Sequence, residues 1–291
     1  MTMKTIITLL LLTNIAFSQS KFIVLDSLTK KPIPYINAWS GNDFVGFSSD
    51  KNGKIKIKGN DKNLELTFFS AAYKLKKIKL NEINKVVLLQ PKETITDKSV
   101  VLKKEVENYL PGKNVAFSFK NKFLSPKGPI IIAQYVPFSS EMIQTPFLNK
   151  LEFGINLTKK DIVYKIRFFN VDKNLQPSTE LISKEITQVF KKSAYLDSNG
   201  DYVYKEVNNQ VDLSNYKIKI PTTGLFISIE VLQFENMTKK TKDKNGKEHK
   251  SNLINLLVEK DENIIQYIYQ NSRWNKDESE SKIIMKISLT N

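Results

Sequence analysis

Apolar residues in this chain come in short runs, roughly four to ten residues long, rich in β-branched and aromatic side chains and closed by turn residues. Phe22-Ile23-Val24-Leu25 gives way to the turn at 26–32, and 33–39 resumes an extended pattern after two prolines. Lys54 to Lys58 alternates lysine and isoleucine at period two, so one face is charged and the other apolar. The turn before it, Ser49-Asp50-Lys51-Asn52-Gly53, ends on a glycine free to take positive φ. Segments 43–48, 64–70, 73–80 and 86–89 complete about seven strands in some 70 residues, the density of a small β-sandwich. Within 74–80, alternation points Leu75 and one of Ile78 or Leu80 inward. Sustained helical periodicity is scarce, so the expected fold class is all-β.

The second half has the same texture. Segments 129–136, 150–157, 161–170, 211–220, 224–232, 262–269 and 282–289 have strand length and composition. Asp172-Lys173-Asn174, Asp197-Ser198-Asn199-Gly200 and Asp243-Lys244-Asn245-Gly246 read as turns. Residues 178–192 fit either a helical stripe or a strand over 186–190, and the β surroundings favour the strand. Between the halves, 92–126 is charged and weakly periodic, with a short helix expected over 97–110 before Pro111-Gly112 stops it. The expected organisation is a leader at 1–18, a small sandwich at 19–91, a linker at 92–126 and a larger sandwich at 127–291.

Lys4 followed by the apolar run from Ile6 to Leu12, with small residues at Ala16 and Ser18, has the form of a secretory leader cleaved after Ser18. The run is short of the ~20 apolar residues that a membrane-spanning helix needs. The expected location is therefore exported: periplasm, outer-membrane periphery or outside the cell. A lipid anchor on cysteine is not expected, because the sequence has no cysteine to acylate.

The formal charge is +15, and the leader carries only one lysine of it. Such charge attracts nucleic acid, anionic glycan or lipid headgroups. Nearly all of it is lysine, however: Arg167 and Arg273 are the two arginines, and arginine is the residue that reads phosphate and base edges bidentately. Lysine mixed with abundant Asn and Ile is what an AT-rich coding sequence yields, so the charge reads first as solvated surface, with no nucleic-acid partner expected. Peripheral membrane association stays open, and the composition does not fix an oligomeric state.

Zero cysteines and one histidine exclude thiolate metal sites, cysteine nucleophiles and histidine clusters. His249 sits in a lysine-rich hairpin and reads as a solvated loop residue. No Gly-x-Ser-x-Gly nucleophile elbow occurs. Asp197-Ser198-Asn199-Gly200-Asp201 has the acid spacing of a calcium loop but lacks the sixth-position Gly and twelfth-position Glu, so a hairpin turn is the better reading. The sequons at Asn156 and Asn236 read as incidental in a bacterial secretory context. No catalytic residue, cofactor or metal is expected.

Two charged residues stand inside otherwise apolar strands. Glu230 shares a strand face with Phe226 and Ser228, and Arg167 lies on the face opposite Tyr164, Ile166 and Phe168. Leaving either charge buried alone costs several kcal/mol, which leads to the expectation of a structural Arg167 to Glu230 ion pair, with a ligand-contacting pair as the alternative. Trp39 and Trp274 are candidate ligand-stacking aromatics, as are Tyr267 and Tyr269, although packing is the commoner use of such rings.

The succession "FIVLDSLTKKPIPYINAW", "GFSSDKNGKIKI", "LELTFFSAAYKLKKIKL" and "VVLLQP" resembles the carboxypeptidase regulatory-like domain, a transthyretin-like β-sandwich. Ser49 to Gly53 matches that family's central turn, while Ala71-Ala72-Tyr73 stands where Gly-Tyr is usual. The resemblance implies a recognition attachment without catalytic residues, of the kind found on secreted enzymes, surface proteins and TonB-dependent receptors, with Asp50 and Gly53 structural. Stretches such as "YKIRFFNVDKNLQPSTELI" and "IPTTGLFISIEVL" make the second half resemble a jelly-roll-like sandwich. The functional expectation is a non-catalytic extracytoplasmic binding or adaptor protein of the bacterial envelope, contacting glycan, envelope polymer or a partner protein. The alternatives are a carboxylate-based glycan hydrolase in the second sandwich and a structural assembly subunit.

Overall fold

The computed structural model describes residues 19–40, 46–58, 61–93, 108–109, 122–124, 130–155, 161–191, 194–196, 202–204, 209–232, 238–242, 248–252, 256–270 and 273–291. They form an all-β molecule of facing sheets. The N-terminal strands are β1 (Gln19–Asp26), β2 (Asn37–Ser40), β3 (Gly46–Ser48), β4 (Lys54–Lys58), β5 (Glu65–Phe68), β6 (Lys76–Lys79) and β7 (Val86–Leu89). One sheet runs β4-β1-β7, with β1 antiparallel to β4 and parallel to β7, and the other runs β3-β2-β5-β6.

Local chemistry sets where these strands stop. The Asp26 carboxylate accepts the N–H groups of Leu28 and Thr29, each at 2.8 Å, and ends β1 in an Asx turn. The hydroxyl of Tyr73 also donates to it, and these bonds, that from Thr29 foremost, hold the carboxyl below its ordinary value. Gly53 has φ 74°, and a Cβ there would lie 2.9 Å from the carbonyl oxygen of Val24. Phe22, Val24, Ile36, Ile55, Leu66 and Phe68 fill the space between the sheets, and each such burial stabilises by about 1.5–3 kcal/mol. Leu75 does not point inward as alternation predicts. It is 50% exposed because β6 begins only at Lys76, whereas Leu80 is buried.

The larger body contains β8 (Asn108–Tyr109), β9 (Lys122–Leu124), β10 (Ile130–Val136), β11 (Phe147–Phe153), β12 (Ile162–Val171), β13 (Pro177–Glu180) and β14 (Ile186–Phe190). Two short strands, β15 (Ala194–Leu196) and β16 (Tyr202–Tyr204), pair with each other, and β17 (Gln210–Asp212) and β18 (Leu225–Val231) follow. Another pair, β19 (Thr238–Lys242) and β20 (Glu248–Asn252), precedes β21 (Leu256–Lys260), β22 (Gln266–Gln270), β23 (Arg273–Lys276), β24 (Ser281–Ile283) and β25 (Met285–Thr290). The main sheet has the order β13-β12-β18-β10-β22-β23, with β13 and β14 sharing one edge of the long β12. The sheets β17-β11-β25-β8 and β24-β21-β9 supply the opposing side of the core. There Phe153 of β11 meets Tyr164 of β12 edge to face at 5.1 Å.

Several expectations change at this level. Residues 211–220 are not one strand, because the Asp212 carboxylate captures the N–H and hydroxyl of Ser214, and a short 3-10 turn over Ser214–Tyr216 follows. Segment 92–126 contributes strands to the larger body, since β8 pairs with β25 and β9 with β21. Of the helix expected over 97–110, Asn108 and Tyr109 are strand and 97–107 lies outside the described residues. The leader, the sequons at Asn156 and Asn236 and the turns at 197–200 and 243–246 also lie outside them. The ambiguous segment resolves as strand at 186–190.

Candidate functional site: a buried charged junction

Strand β2 is buried along its whole length, which requires cover on both faces. Ala38 points into the small sandwich, while Asn37 and Trp39 point away from it. On β5, Leu66 and Phe68 enter the same core and Phe69, just beyond the strand, projects to the other side. What covers this second face is the outer surface of the main sheet.

On that surface the register puts Lys165 opposite Glu230 and Arg167 opposite Ser228. Ser228 is in turn opposite Ala133, and Ala133 opposite Tyr267. Arg167 is the centre of the junction. Its Nη1 lies 3.2 Å from Glu230 Oε2, and its Nη2 donates to Glu180. The guanidinium carbon sits 4.2 Å from the ring centre of Phe69 and 5.2 Å from that of Phe169, so one cation is held by rings from both bodies. The other carboxylate oxygen of Glu230 accepts from Asn37 Nδ2 at 2.7 Å, and Asn37 is fixed by the hydroxyl of Ser48.

A second set lies beside it. Lys165 Nζ is 2.6 Å from Glu185, and the Ser70 hydroxyl donates to the same carboxylate. Lys92 Nζ donates to the carbonyl of Ser70 at 3.0 Å and lies 3.5 Å from Glu180. Three cations, Lys92, Lys165 and Arg167, thus balance Glu180, Glu185 and Glu230. Burial pushes the Glu185 carboxyl up, but the charge and hydrogen bond of Lys165, with Ser70 and Arg167, outweigh it and hold the group below its ordinary value. Lys92 is pushed down by burial and by the nearby Arg167.

The aromatic candidates are in the same place. Trp39 is 7% exposed and meets Tyr269 edge to face, Phe69 stacks on Tyr269 at 4.7 Å, and Trp274 packs against both Tyr269 and Phe169. Each of these rings packs against other protein rings, and Trp274 stays half-buried. Tyr267 packs on Phe226, and His249 pairs through its backbone with Thr241. Sequence reasoning missed Lys165, Glu180, Glu185 and Lys92. Lys165 carried a readable sign, because it stands two residues from Arg167 in an apolar strand and must share its face. The two added glutamates look like any surface glutamate. Among the described residues no group of three His, Cys, Asp or Glu is placed to hold a metal ion.

No protein-family model and no curated protein matches the chain. Two solved structures of the surface-layer-associated protein Cwp84 of Clostridium difficile do. The first, of its cysteine protease and lectin-like domains, has a TM-score of 0.40 and 13% identity over 88% of this chain and 58% of that one. The second, of the clostridial cysteine protease after propeptide cleavage, has a TM-score of 0.39 and 13% identity over 88% and 65%. The chain therefore spans less than two thirds of either.

Proposed function

We propose that this is a non-catalytic binding or adaptor protein of the bacterial envelope, in which a carboxypeptidase regulatory-like sandwich is fixed on a jelly-roll-like one. The observation that carries the reading is the state of the converging acids. Glu180 and Glu230 meet on one guanidinium with side chains 8% and 2% exposed. Glycosidase carboxylates must reach a sugar and a water and must hold different proton affinities, and acids neutralised under a docked body are poorly suited to either task. The junction is a structural device on this reading, and recognition falls to the exposed faces and loops.

The test is incubation of the purified protein with envelope polysaccharides and envelope extracts, reading both capture and the appearance of new reducing ends. Capture without new reducing ends is the expected result. Reducing ends that disappear in Glu230→Gln or Glu180→Gln protein that is still folded at the assay temperature would replace this reading with the hydrolase.

A further inference from the structure

The small sandwich turns the sheet β3-β2-β5-β6 toward the junction, so the outer face of β4-β1-β7 is turned away from it. On that face the register sets Ile23 beside Val86 and Leu25 beside Leu88. Val86 and Leu88 are 41% and 38% exposed, and Ile23 and Leu25 are half-buried. Across the other edge of β1, Lys21 pairs with Lys56 and Ile23 with Lys54, and all three lysines are exposed. Exposed Lys85 leads into β7, and Lys76 Nζ donates to the carbonyl of Leu88 along the outer edge. Leu28, 76% exposed, closes the strip in the turn after β1. No acidic, aromatic or arginine side chain stands on these strands' outward positions.

We propose that this face docks on an anionic lipid surface, a contact that rests on the envelope reading and names one partner for it. Protein interfaces concentrate Trp, Tyr and Arg at their centres and deplete Lys, the reverse of what is found here. Lysine is a flexible point charge suited to a diffuse anionic plane. Aliphatic side chains ringed by lysines match the boundary between headgroups and acyl chains, where the stems bury and the ammonium groups stay in water. A second copy of the chain is a poor occupant, because it would set one lysine row against another.

Co-sedimentation of the protein, as recovered from an exporting host, tests this with vesicles of mixed phosphatidylglycerol and phosphatidylcholine and of phosphatidylcholine alone. Binding to the anionic vesicles only, weakening with salt, is expected. Each lysine near such a surface contributes about fivefold to partitioning, so K21Q/K54Q should lower binding at least about tenfold, while K173Q/K219Q, equal in charge but outside this face, should lower it much less. V86T/L88T, which keeps strand-compatible residues at exposed positions, should also weaken binding with an unchanged melting temperature. Equal losses in the two lysine pairs, no effect of V86T/L88T, or binding to neither vesicle would overturn the proposal. So would capture of an acidic envelope protein through these residues in place of lipid. Vesicle binding lost while polymer capture persists sinks this surface alone; absence of the protein from envelope fractions sinks the envelope reading whatever the vesicles show.

Discussion

Arg167 answers two carboxylates, and this changes what mutation of it reports. Removing the cation leaves Glu230 only the amide of Asn37 and Glu180 only the more distant Lys92 in a closed site, so Arg167→Met should cost about 3–5 kcal/mol, read from urea midpoints. Reversing the Arg167 and Glu230 charges together should not restore stability, because the new glutamate at 167 would still face Glu180. The informative cycle uses Arg167→Met and Glu230→Gln, for which a coupling of about 0.5–3 kcal/mol is expected of groups in contact. Additive costs would mean that the two charges act independently. Glu185 makes a separate prediction. Its carboxyl is held below the ordinary 4.5 in the folded chain, so its pairing contributes in full above that value and is lost as pH falls through the folded value. Glu185→Gln protein should be less stable at neutral pH and show a shallower acid limb in melting temperature as pH falls below about 5; parallel curves would exclude this linkage.

Strand β12 shows how far periodicity carries and where it stops. Alternation assigns Tyr164, Ile166 and Phe168 to the core and Arg167 to the other face, as the structure has it. An isolated sheet with one solvated face would present that second side to water. Only the burial of β2, on a segment far away in sequence, makes it an interior. Nothing in the local pattern around Glu180 or Glu185 signals this, since both follow from which body docks where. The turns were legible for a different reason: Asp26, Gly53 and Asp172 act on their own backbone within a few residues. The break at Asp212 is equally local, yet the apolar alternation through Val211, Leu213, Ile218 and Ile220 concealed it. Gly154 marks a contact that the sequence does not announce. Its carbonyl accepts from Leu257, joining the two smaller sheets, and a Cβ there would fall 2.0 Å from Leu257 Cδ1. Gly154→Ala should therefore destabilise by about 1–3 kcal/mol, the usual cost of overpacking, with Leu257→Ala in the same chain recovering part of the loss; a neutral Gly154→Ala would show that the sheets separate readily.

At the scale of the molecule, the junction decides whether there are two units or one. Interfaces between domains of one chain are commonly polar and permit relative motion. This one places paired charges beneath a belt of rings, and opening it would expose Trp39, Phe69 and Tyr269 along with the ions. Both tryptophans of the chain, Trp39 and Trp274, lie in that belt. Tryptophan emission therefore follows the junction, whereas far-ultraviolet circular dichroism follows the strands everywhere. If the two bodies unfold as one cooperative unit, the two signals should trace the same urea transition in the unaltered protein. Phe69→Ala removes the ring that lies over Arg167 and stacks on Tyr269 while sparing both cores, so in that variant the emission change should come at lower urea than the loss of strand signal. Separate transitions in the unaltered protein would mean that the charged junction is a weak contact between independently stable sandwiches, and coincident transitions in the variant would place the coupling outside Phe69.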